Sequence, residues 1–580
     1  MKSPKKPESV DKNENIRHSL AHLLAAAVRA LYPGAMNAIG PAIENGFYQD
    51  FELPKPISED DLPKIEAKMR ELLPGWTKWT KKVVTLKDVK KEFSWNRYKM
   101  ELTKEFARDK KTLTFYTCGG LVDLCKGGHA SALSEIDPES FKLERVAGAY
   151  WRGDEKNKML TRIYGLAFEN KKELEEYLKN QKEAERRDHR KLGKELGLFT
   201  LADEVGPGLP LFYPKGAILR RTVENFIQEL QEKNGYEPIW IPHVAKEELY
   251  KISGHLGKYD AMYPLMRLKG EADYYLKPMN CPHFMMLYKS EPHSYRELPV
   301  RYTSTTTVYR REKSGELSGL ARVRALTQDD CHVFARPDQI EEEMDLMLDM
   351  VAEVYRAFGF NNFRLRLSAH DTKHPEKYIG EPKIWRDSEA ILAKLIKKHG
   401  WDYEVGEGEA TFYGPKIDFI LKDVLGREWQ LSTIQLDMNL PKRFGLEYAD
   451  KDGRKKEPIV IHRAILGSTE RFLAILIEHF AGAFPFWLAP LQVTILTINE
   501  KVETYAEEIL KELKSKDIRA ELDSRNESIS KKIREAELQK IPYLLIIGEK
   551  EAAAKKIAVR ERGQGDLGQK TLEEFLKIAK

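Results

Sequence analysis

Three short segments far apart in the chain each contain one soft metal ligand, and a fold that uses all three must bring them together. The ligands are Cys281 in KPMNCPH, His332 in TQDDCHVF and His462 in IVIHRAILGS. Three protein ligands on zinc leave its fourth position open, which distinguishes a catalytic or substrate-binding site from a closed structural one. Taken singly, each of these residues is more often a core residue than a ligand. Their matching polar contexts together favour one open zinc site.

The length and composition indicate several domains in a reducing compartment. At 580 residues the chain exceeds what one hydrophobic core supports. No apolar run approaches a membrane span, and the first fifteen residues lack the apolar core of a signal peptide. Four cysteines argue against a disulfide framework and favour the cytoplasm. A net charge of +5 excludes a histone-like polycation, so we expect nucleic-acid contacts from local basic surfaces.

The order of helical patterns, strand patterns and breakers divides the chain into five parts. Residues 1–14 are predicted to be a disordered tail, followed by an α+β domain over residues 15–178. A long charged helix over residues 179–196 connects it to the next domain. In residues 197–485, β-branched runs predict a large antiparallel sheet with flanking helices. Residues 486–580 alternate strands and helices, which predicts a compact α/β domain.

The middle domain contains charged side chains suited to a nucleotide but no familiar phosphate loop. The chain has neither GxxxxGK[ST] nor a GxGxxG after a strand, so ATP binding requires a different fold. In VYRREKSGELSGLARVRA, Arg310 can hold a phosphate, Glu312 can accept from an adenine amino group and Arg322 can reach the outer phosphates. ILGSTERFLAIL puts Ser468 and Arg471 at a helix start. The alternative for these arginines is an ordinary surface position or salt bridge.

Four side chains in the first domain form a second candidate site. His18 and His22 lie four residues apart in RHSLAHLL, and Cys125 and His129 do so in LVDLCKGGHAS. On a helix the first pair shares one face. The set suits either a four-ligand metal site or a hydrolytic site, and the spacing leaves both open. By itself the first pair is better interpreted as core-facing histidines.

Several segments taken together resemble the class II aminoacyl-tRNA synthetases. GYEPIWIPHV, VYRREKSG…RVRALTQDD and GSTERF are similar to the three motifs of that class. MNCP, TQDDCHVF, FYGPKID, WQLSTIQLD and IHRAILGS are similar to the threonyl-tRNA synthetases in particular. The resemblance covers nearly the whole chain after the tail. It implies a multidomain α+β protein with a class II antiparallel-sheet catalytic core, an N-terminal α+β editing domain and a C-terminal α/β anticodon-binding domain.

The resemblance also implies roles for individual residues. The zinc ligands of the family match Cys281, His332 and His462. Positions around the threonine match Gln328, Asp330, Tyr413 and Gln430, and the ATP site matches Arg310, Glu312, Arg322, Gln435, Ser468 and Arg471, with Arg310 and Arg471 catalytic. A histidine implicated in transfer to tRNA matches His255. The editing pocket matches His18, His22, Cys125, His129, Asp123 and Lys99, and the base-reading positions match Asn526, Arg534, Glu551 and Arg560.

The activity implied is that of a cytoplasmic threonine–tRNA ligase that uses ATP with Mg²⁺, one Zn²⁺ per subunit and the threonine tRNA, with no membrane or DNA partner. The segment around Pro242 would form a homodimer. A zinc that binds the substrate amine and hydroxyl rejects valine, since losing a recognised hydroxyl costs about 10⁴–10⁵-fold. Serine lacks only a methyl, worth about 10–200-fold, so hydrolysis of mischarged seryl-tRNA is expected in the first domain.

Departures from the family and rival functions complete the expectations. Leu326 stands where an aromatic usually stacks on adenine, and Leu431 replaces a residue that is often small or Cys. Only about fifteen residues precede the editing domain, so a ubiquitin-like N-terminal domain is expected to be absent. Cys118 and Cys331 are interpreted as buried thiols. The rivals are a seryl or prolyl synthetase, a catalytically silent RNA-binding protein and a metallohydrolase.

Overall fold

The computed structural model describes residues 12–131 and 136–579. The chain forms two compact units, Met1–Lys182 and Glu183–Lys580. Residues 1–11 of the predicted tail lie outside the described residues, whereas residues 12–14 belong to the first helix. Across the described part, no helix combines the length and the apolar character that a membrane span requires.

The first unit packs helices on a five-stranded antiparallel sheet and contains a separate three-stranded one. Its elements are α1 (Lys12–Leu31), β1 (Met36–Asn37), β2 (Ala42–Ile43), β3 (Gly46–Glu52), α2 (Leu62–Leu72), β4 (Thr80–Val83), α3 (Leu86–Phe93), α4 (Arg97–Arg108), β5 (Thr114–Cys118), β6 (Leu121–Leu124), β7 (Phe141–Tyr150) and β8 (Met159–Ala167). The larger sheet has the order β1-β3-β8-β7 with β2 on β3, and the smaller one β4-β5-β6. The apolar stripe of α1 is fully buried from Leu20 to Ala27 and partly buried at Leu31, as its helical spacing predicts.

The predicted single connector helix is two helices, α5 (Lys171–Arg187) and α6 (His189–Glu195). The break is at Asp188, whose side chain accepts a hydrogen bond from the Arg190 backbone and so begins a new helix. The boundary between the two units lies within α5.

The first and larger part of the second unit is built on a large sheet with flanking helices, as the sequence predicts, and the sheet has eight strands. Its elements are β9 (Phe199–Thr200), β10 (Leu211–Phe212), α7 (Pro214–Lys233), β11 (Glu237–Pro238), β12 (Val244–Lys246), α8 (Glu247–Ser253), β13 (Tyr274–Leu276), α9 (Cys281–Lys289), β14 (Val300–Tyr309), β15 (Ala325–Ala335), α10 (Ile340–Ala357), β16 (Phe363–Ala369), α11 (Pro382–Lys398), β17 (Tyr403–Glu407), β18 (Lys416–Lys422), β19 (Glu428–Asp437), α12 (Leu440–Phe444), β20 (Tyr448–Ala449), β21 (Lys455–Lys456), β22 (Ile459–Ala464) and α13 (Thr469–His479). The order is β11-β14-β15-β22-β19-β18-β16-β17, antiparallel except for the parallel edge pairs β11–β14 and β16–β17. Apolar side chains of α10, α11 and α13 form a continuous core with the sheet, which leaves the other face for the site.

The end of the second unit is an α/β fold with a mixed five-stranded sheet. It comprises β23 (Val493–Thr497), α14 (Glu503–Ser515), β24 (Ala520–Asp523), α15 (Ile529–Leu538), β25 (Tyr543–Ile547), α16 (Glu549–Ala554), β26 (Ile557–Glu561), β27 (Gly565–Lys570) and α17 (Leu572–Ile578). The order is β24-β23-β25-β26-β27, with the first three strands parallel and the last two antiparallel. The predicted alternation of strands and helices is confirmed.

Candidate functional site

The three predicted metal ligands converge on one face of the eight-stranded sheet. His332 on β15 and His462 on β22 are directly opposite in the antiparallel register, so their side chains lie side by side. Cys281 is the first residue of α9. One ligand atom from each of the three lies within 4.8 Å of the others, and all three residues are buried.

Each histidine of this cluster has at least one ring nitrogen without a hydrogen-bond partner. Neither ring nitrogen of His332 has a hydrogen-bond partner, although the residue is fully buried. His462 shares a hydrogen bond between Nε2 and Oδ2 of Asp437 at 2.9 Å, while its Nδ1 has no partner. Buried polar atoms normally have partners, and a histidine with one nitrogen on a carboxylate is typical of metal ligands. The cluster is therefore compatible with zinc.

A cavity of about 300 Å³ adjoins the cluster on the same face. The floor of the cavity is formed by paired residues of neighbouring strands. Lys416 on β18 is opposite Gln435 on β19, and Gln435 is opposite His462 on β22. The Tyr413 hydroxyl donates to Oε1 of Gln435 at 2.7 Å. The lining includes every predicted threonine and ATP position, namely Gln328, Asp330, Tyr413, Gln430, Arg310, Glu312, Arg322, Gln435, Ser468 and Arg471, together with Leu326 and Leu431.

Two predicted substrate residues share a face of β15 because side chains alternate along a strand. Asp330 accepts a hydrogen bond from Nδ2 of Asn280 at 2.9 Å, and burial raises the pKa of its carboxyl to about 6. Gln328 donates from Nε2 to the carbonyl of Gly467 at 3.2 Å. A carboxylate held in this way is a suitable acceptor for a substrate ammonium group.

Three arginines concentrate positive charge at the other end of the cavity. Burial, followed by the charges of Arg310 and Arg322, lowers the pKa of Arg471. Its Nε donates to the carbonyl of Ala321 at 3.0 Å. Arg322 contacts Glu312 with two hydrogen bonds of 2.7 and 3.0 Å. Such a cluster is suited to a polyanion, whose charge would offset the repulsion among the guanidinium groups.

Two further predicted residues, Ser468 and His255, have hydrogen-bond partners within the protein. Ser468 is the N-cap of α13, and its hydroxyl accepts from the Arg471 backbone at 3.1 Å. His255 is fully buried behind the cavity, with Nε2 3.0 Å from Sδ of Met279, which lines the cavity. Burial lowers the pKa of His255 to about 3, so its imidazole is neutral.

Sequence reasoning missed several lining residues, of which Lys416 is the most informative. Its ammonium contacts Asp418, which is fully buried and also accepts from the Ser368 hydroxyl at 2.7 Å. The signal was present in FYGPKID, because charged residues alternate there in an otherwise apolar strand. Tyr259, Met279, Thr411 and Thr433 also line the cavity and carried no such signal.

In the first unit, the predicted quartet forms one compact cluster. Cys125 Sγ lies 3.4 Å from Nε2 of both His18 and His129, and Nε2 of His22 lies 3.2 Å from Nε2 of His18. The ring of Trp79 stacks on His129 with centroids 4.0 Å apart. One ligand atom from each of the four lies within 4.8 Å of the others.

Two further predicted residues stabilise the charges in this cluster. Asp123 contacts Nδ1 of His22 at 3.0 Å and Nζ of Lys99 at 2.6 Å, and all three are buried. Against the opposing effect of burial, Asp123 and Cys125 raise the pKa of His22 to about 9. Burial likewise opposes a thiolate, but the surrounding histidines lower the pKa of Cys125 to about 3. The cluster therefore combines a thiolate with an imidazolium at neutral pH.

The four predicted base-reading residues occupy two regions of the last domain. Asn526, which is exposed, follows β24, and Glu551 lies on α16 after β25, so both are at the carboxyl edge of the parallel strands. Arg560 is opposite Leu544, nearer the other end of β25. Arg534 is exposed on α15. Glu551 accepts from Gly548 N at 3.0 Å and Gln569 Nε2 at 2.6 Å.

Comparison with known proteins assigns each region to a described domain type. Residues 265–480 match the "tRNA synthetase class II core domain (G, H, P, S and T)", residues 492–580 the "Anticodon binding domain", and residues 113–164 the "Threonyl and Alanyl tRNA synthetase second additional domain". A prolyl-tRNA synthetase structure of Giardia lamblia shares the fold, with a TM-score of 0.54 at 18% identity over 68% of this chain and 76% of that one. The sheet, the cavity and these matches define a class II aminoacyl-tRNA synthetase, which confirms the predicted fold class.

Relatives narrow the class to one family. A threonine–tRNA ligase of Rubrobacter xylanophilus is 50% identical over 95% of this chain and 85% of its own length. One of Gloeobacter violaceus is 48% identical over 97% and 91%. The structure titled as the RNA binding domain of threonyl-tRNA synthetase from Cryptosporidium parvum is 38% identical over 67% of this chain and 97% of that one, with a TM-score of 0.64. The chain belongs to the threonine–tRNA ligase family, as the resemblance predicted.

Proposed function

We propose that the chain joins threonine to its tRNA by using a zinc ion held by Cys281, His332 and His462 to select the amino acid. The observation that carries the proposal is the convergence beside the cavity of three buried ligands from α9, β15 and β22, whose two histidines keep ring nitrogens without a hydrogen-bond partner. A zinc bound there would leave a position open to substrate and, by expanding from four to five ligands, would take the amine and the hydroxyl of threonine together. Asp437, hydrogen-bonded to His462, fixes that ring.

The remaining residues of the cavity orient the amino acid and ATP. Asp330 accepts from the substrate ammonium, and Tyr413 and Gln435 form the wall beside it. Arg310, Arg322 and Arg471 hold the phosphates of ATP, which is bound with Mg²⁺, with Glu312 near the nucleotide. The threonine carboxylate then attacks the α-phosphorus and pyrophosphate leaves. Positioning and charge neutralisation supply most of the rate enhancement, and the tRNA 3′-hydroxyl finally takes the acyl group and releases AMP.

The first unit hydrolyses the ester of seryl-tRNA, which forms whenever serine is accepted at the zinc site in place of threonine. The imidazoles of His18 and His129 lie at hydrogen-bond range of the Cys125 thiolate, His22 contacts His18, and the three rings offer sites for an attacking water. Asp123 orients His22 through Nδ1. Because the same four groups also suit a metal ion, the zinc content of the protein distinguishes the two designs.

The partners are the threonine tRNA, read by the last domain, and a second copy of the chain. Arg534 and Asn526 are exposed and can approach unstacked bases, whose edges are free for hydrogen bonds. For the homodimer, Pro242 lies in an exposed segment where Trp240 is 80% exposed and Val244 is also exposed. An exposed tryptophan beside other apolar residues favours a protein contact. The reaction belongs in the cytoplasm, where charged tRNA is consumed.

The proposal is tested by zinc analysis together with amino-acid-dependent ATP–pyrophosphate exchange. We expect exchange with threonine, weaker exchange with serine and none with valine. Cys281→Ala should lose the cavity zinc and the threonine-dependent exchange, whereas Cys118→Ala, a buried cysteine of the first unit, should keep both. One zinc ion per chain would indicate that the cluster of His18, His22, Cys125 and His129 holds no metal. Two zinc ions per chain would assign the second ion to that cluster.

Exchange that does not depend on Cys281 or zinc would refute the selection mechanism. A complete absence of exchange in the intact protein would instead favour an RNA-binding protein without catalysis.

A further inference from the structure

His189, the first residue of α6, lies outside the lining of the cavity yet contacts the loop that carries Arg322. Its imidazole is buried, with 5% of the residue exposed. Nδ1 lies 2.7 Å from Oε1 of Glu478, and Nε2 accepts a hydrogen bond from the Leu320 backbone at 3.1 Å. Both bonds require the neutral ring with its proton on Nδ1. Asp188, His189 and Glu478 lie close enough to hold a metal ion, but Glu478 and the Leu320 N–H already occupy the two ring nitrogens of His189.

Glu478 holds the imidazole at the end of α13, whose other end lies in the cavity. Oε1 of Glu478 also accepts from the His189 backbone at 3.2 Å, and Oε2 contacts the guanidinium of Arg427. Arg187 donates to the carbonyls of Glu478 and His479 at 3.0 and 2.8 Å. The last turn of α13 and the first turn of α6 are therefore joined by several charged hydrogen bonds, and His189 has little freedom to move.

The loop segment 318–322 is held from two sides. From the cavity, Arg471 Nε donates to the carbonyl of Ala321 at 3.0 Å. From behind, His189 accepts the Leu320 N–H, and a Cβ on Gly319, which has φ of +49°, would lie 2.3 Å from the His189 Nε2. The backbone on either side of Ala321 is thus fixed immediately before Arg322, whose side chain reaches into the cavity.

We infer that His189 is a positioning residue for ATP: by accepting the Leu320 N–H it fixes the loop that presents Arg322 to the nucleotide. The inference rests on the proposed function, because ATP is the ligand whose binding it controls. The threonine end of the cavity, around Asp330 and the metal ligands, has no contact with His189. Loss of the Leu320 bond should therefore weaken ATP binding and leave threonine binding nearly unchanged.

Two amide variants test the roles of the two ring nitrogens of His189 separately. In His189→Asn the amide nitrogen can replace Nδ1 towards Glu478, but no acceptor reaches Leu320. In His189→Gln the longer amide can supply that acceptor. Leaving a buried N–H unpaired disfavours the state that contains it by about 5- to 150-fold. For the Asn variant we expect that rise in the KM for ATP in pyrophosphate exchange, a KM for threonine within about twofold of wild type, and partial recovery in the Gln variant.

Amide hydrogen exchange of the intact protein tests the contact without reference to catalysis. A peptide spanning residues 317–325 should exchange faster in His189→Asn than in wild type and return towards wild type in His189→Gln. If the Asn variant does not fold, Gly319→Ala disturbs the same contact from the loop side and should give the same ATP-selective effect.

Unchanged exchange at Leu320 in the Asn variant would overturn the inference. So would an equal rise in both KM values, which indicates a general structural role. A wild-type protein without threonine-dependent exchange would contradict the proposed function, while the amide result at Leu320 would still decide whether His189 holds the loop.

Discussion

Replacing Asp123 by Asn should destabilise the first unit by leaving a buried ammonium without its counter-charge. Asp123 is 1% exposed and lies 2.6 Å from Nζ of Lys99, which is itself 4% exposed. It also contacts Nδ1 of His22 at 3.0 Å and accepts from Nδ2 of Asn37 at 3.3 Å. An asparagine fits the same volume but removes the charge that compensates Lys99 and weakens the acceptor that orients His22.

The expected cost follows from burial. Removing one partner of a buried ion pair costs about 3–5 kcal/mol. In a unit of this size each kcal/mol lowers Tm by about 2–4 °C, so a fall of about 6–20 °C is expected. Against burial, Lys99 and His22 hold the pKa of Asp123 below its ordinary value. Its stabilising contribution is therefore present above the unfolded carboxyl pKa of about 3.9 and is lost as the pH falls below it.

Calorimetry of the full chain, with hydrolysis of seryl-tRNA measured in parallel, tests this reasoning. The double variant Asp123→Asn, Lys99→Met removes the stranded charge, so it should recover most of the Tm but not the hydrolysis. Asp109→Asn is the matched control, because Asp109 pairs with Lys111 at 2.8 Å on an exposed surface. Such pairs contribute about 0–1 kcal/mol, and this variant should resemble wild type.

Two outcomes would refute the argument. A Tm for Asp123→Asn within about 2 °C of wild type would mean that Lys99 is compensated by other groups. A double variant as unstable as the single one would assign the cost to the lost hydrogen bonds rather than to the charge.

Three further results are expected. Iodoacetamide should alkylate Cys125 at a rate nearly constant from about pH 5 to 8, since the thiol pKa is lowered to about 3, and His22→Gln should restore a rate that rises with pH. Gly467→Ala, at φ of +69° and with its Cβ 2.6 Å from the Leu431 carbonyl, should lose about 1–3 kcal/mol in thermal unfolding and reduce pyrophosphate exchange. Arg534→Ala should weaken tRNA binding in filter assays while leaving pyrophosphate exchange unchanged, and an equal loss of both would contradict the anticodon role.

Strong periodic patterns made most elements of the last domain predictable, and the two elements with weak patterns, α16 and β27, were missed. The apolar runs of β23 and β25 and the amphipathic α14 were expected and are present. The six-residue α16 is too short to show a helical period. β27, GDLGQK, contains two glycines and an aspartate, so it forms because it pairs with β26 rather than from its own propensity.

The candidate site was predictable as a set of residues but not as a set of contacts. Local motifs indicated Cys281, His332 and His462, because each stands in a short distinctive segment. The contact of His462 with Asp437 depends on strands β19 and β22, joined through a long connection, and could not be predicted from either segment. The role inferred for His189 likewise depends on contacts more than 100 residues away in the chain.

In the proposed function, strand β15 sets the order in which the nucleotide and the amino acid are recognised along the cavity. Leu326, Gln328, Asp330 and His332 lie at every second position, so they share one face and run about 20 Å from the nucleotide end to the metal cluster. Shifting the register of this strand by one residue would turn all four towards the core and bring Asp329 to the surface of the cavity. Under the proposed function, replacing side chains along β15 would change the amino-acid preference, whereas a one-residue shift of that strand would abolish recognition of both substrates at once.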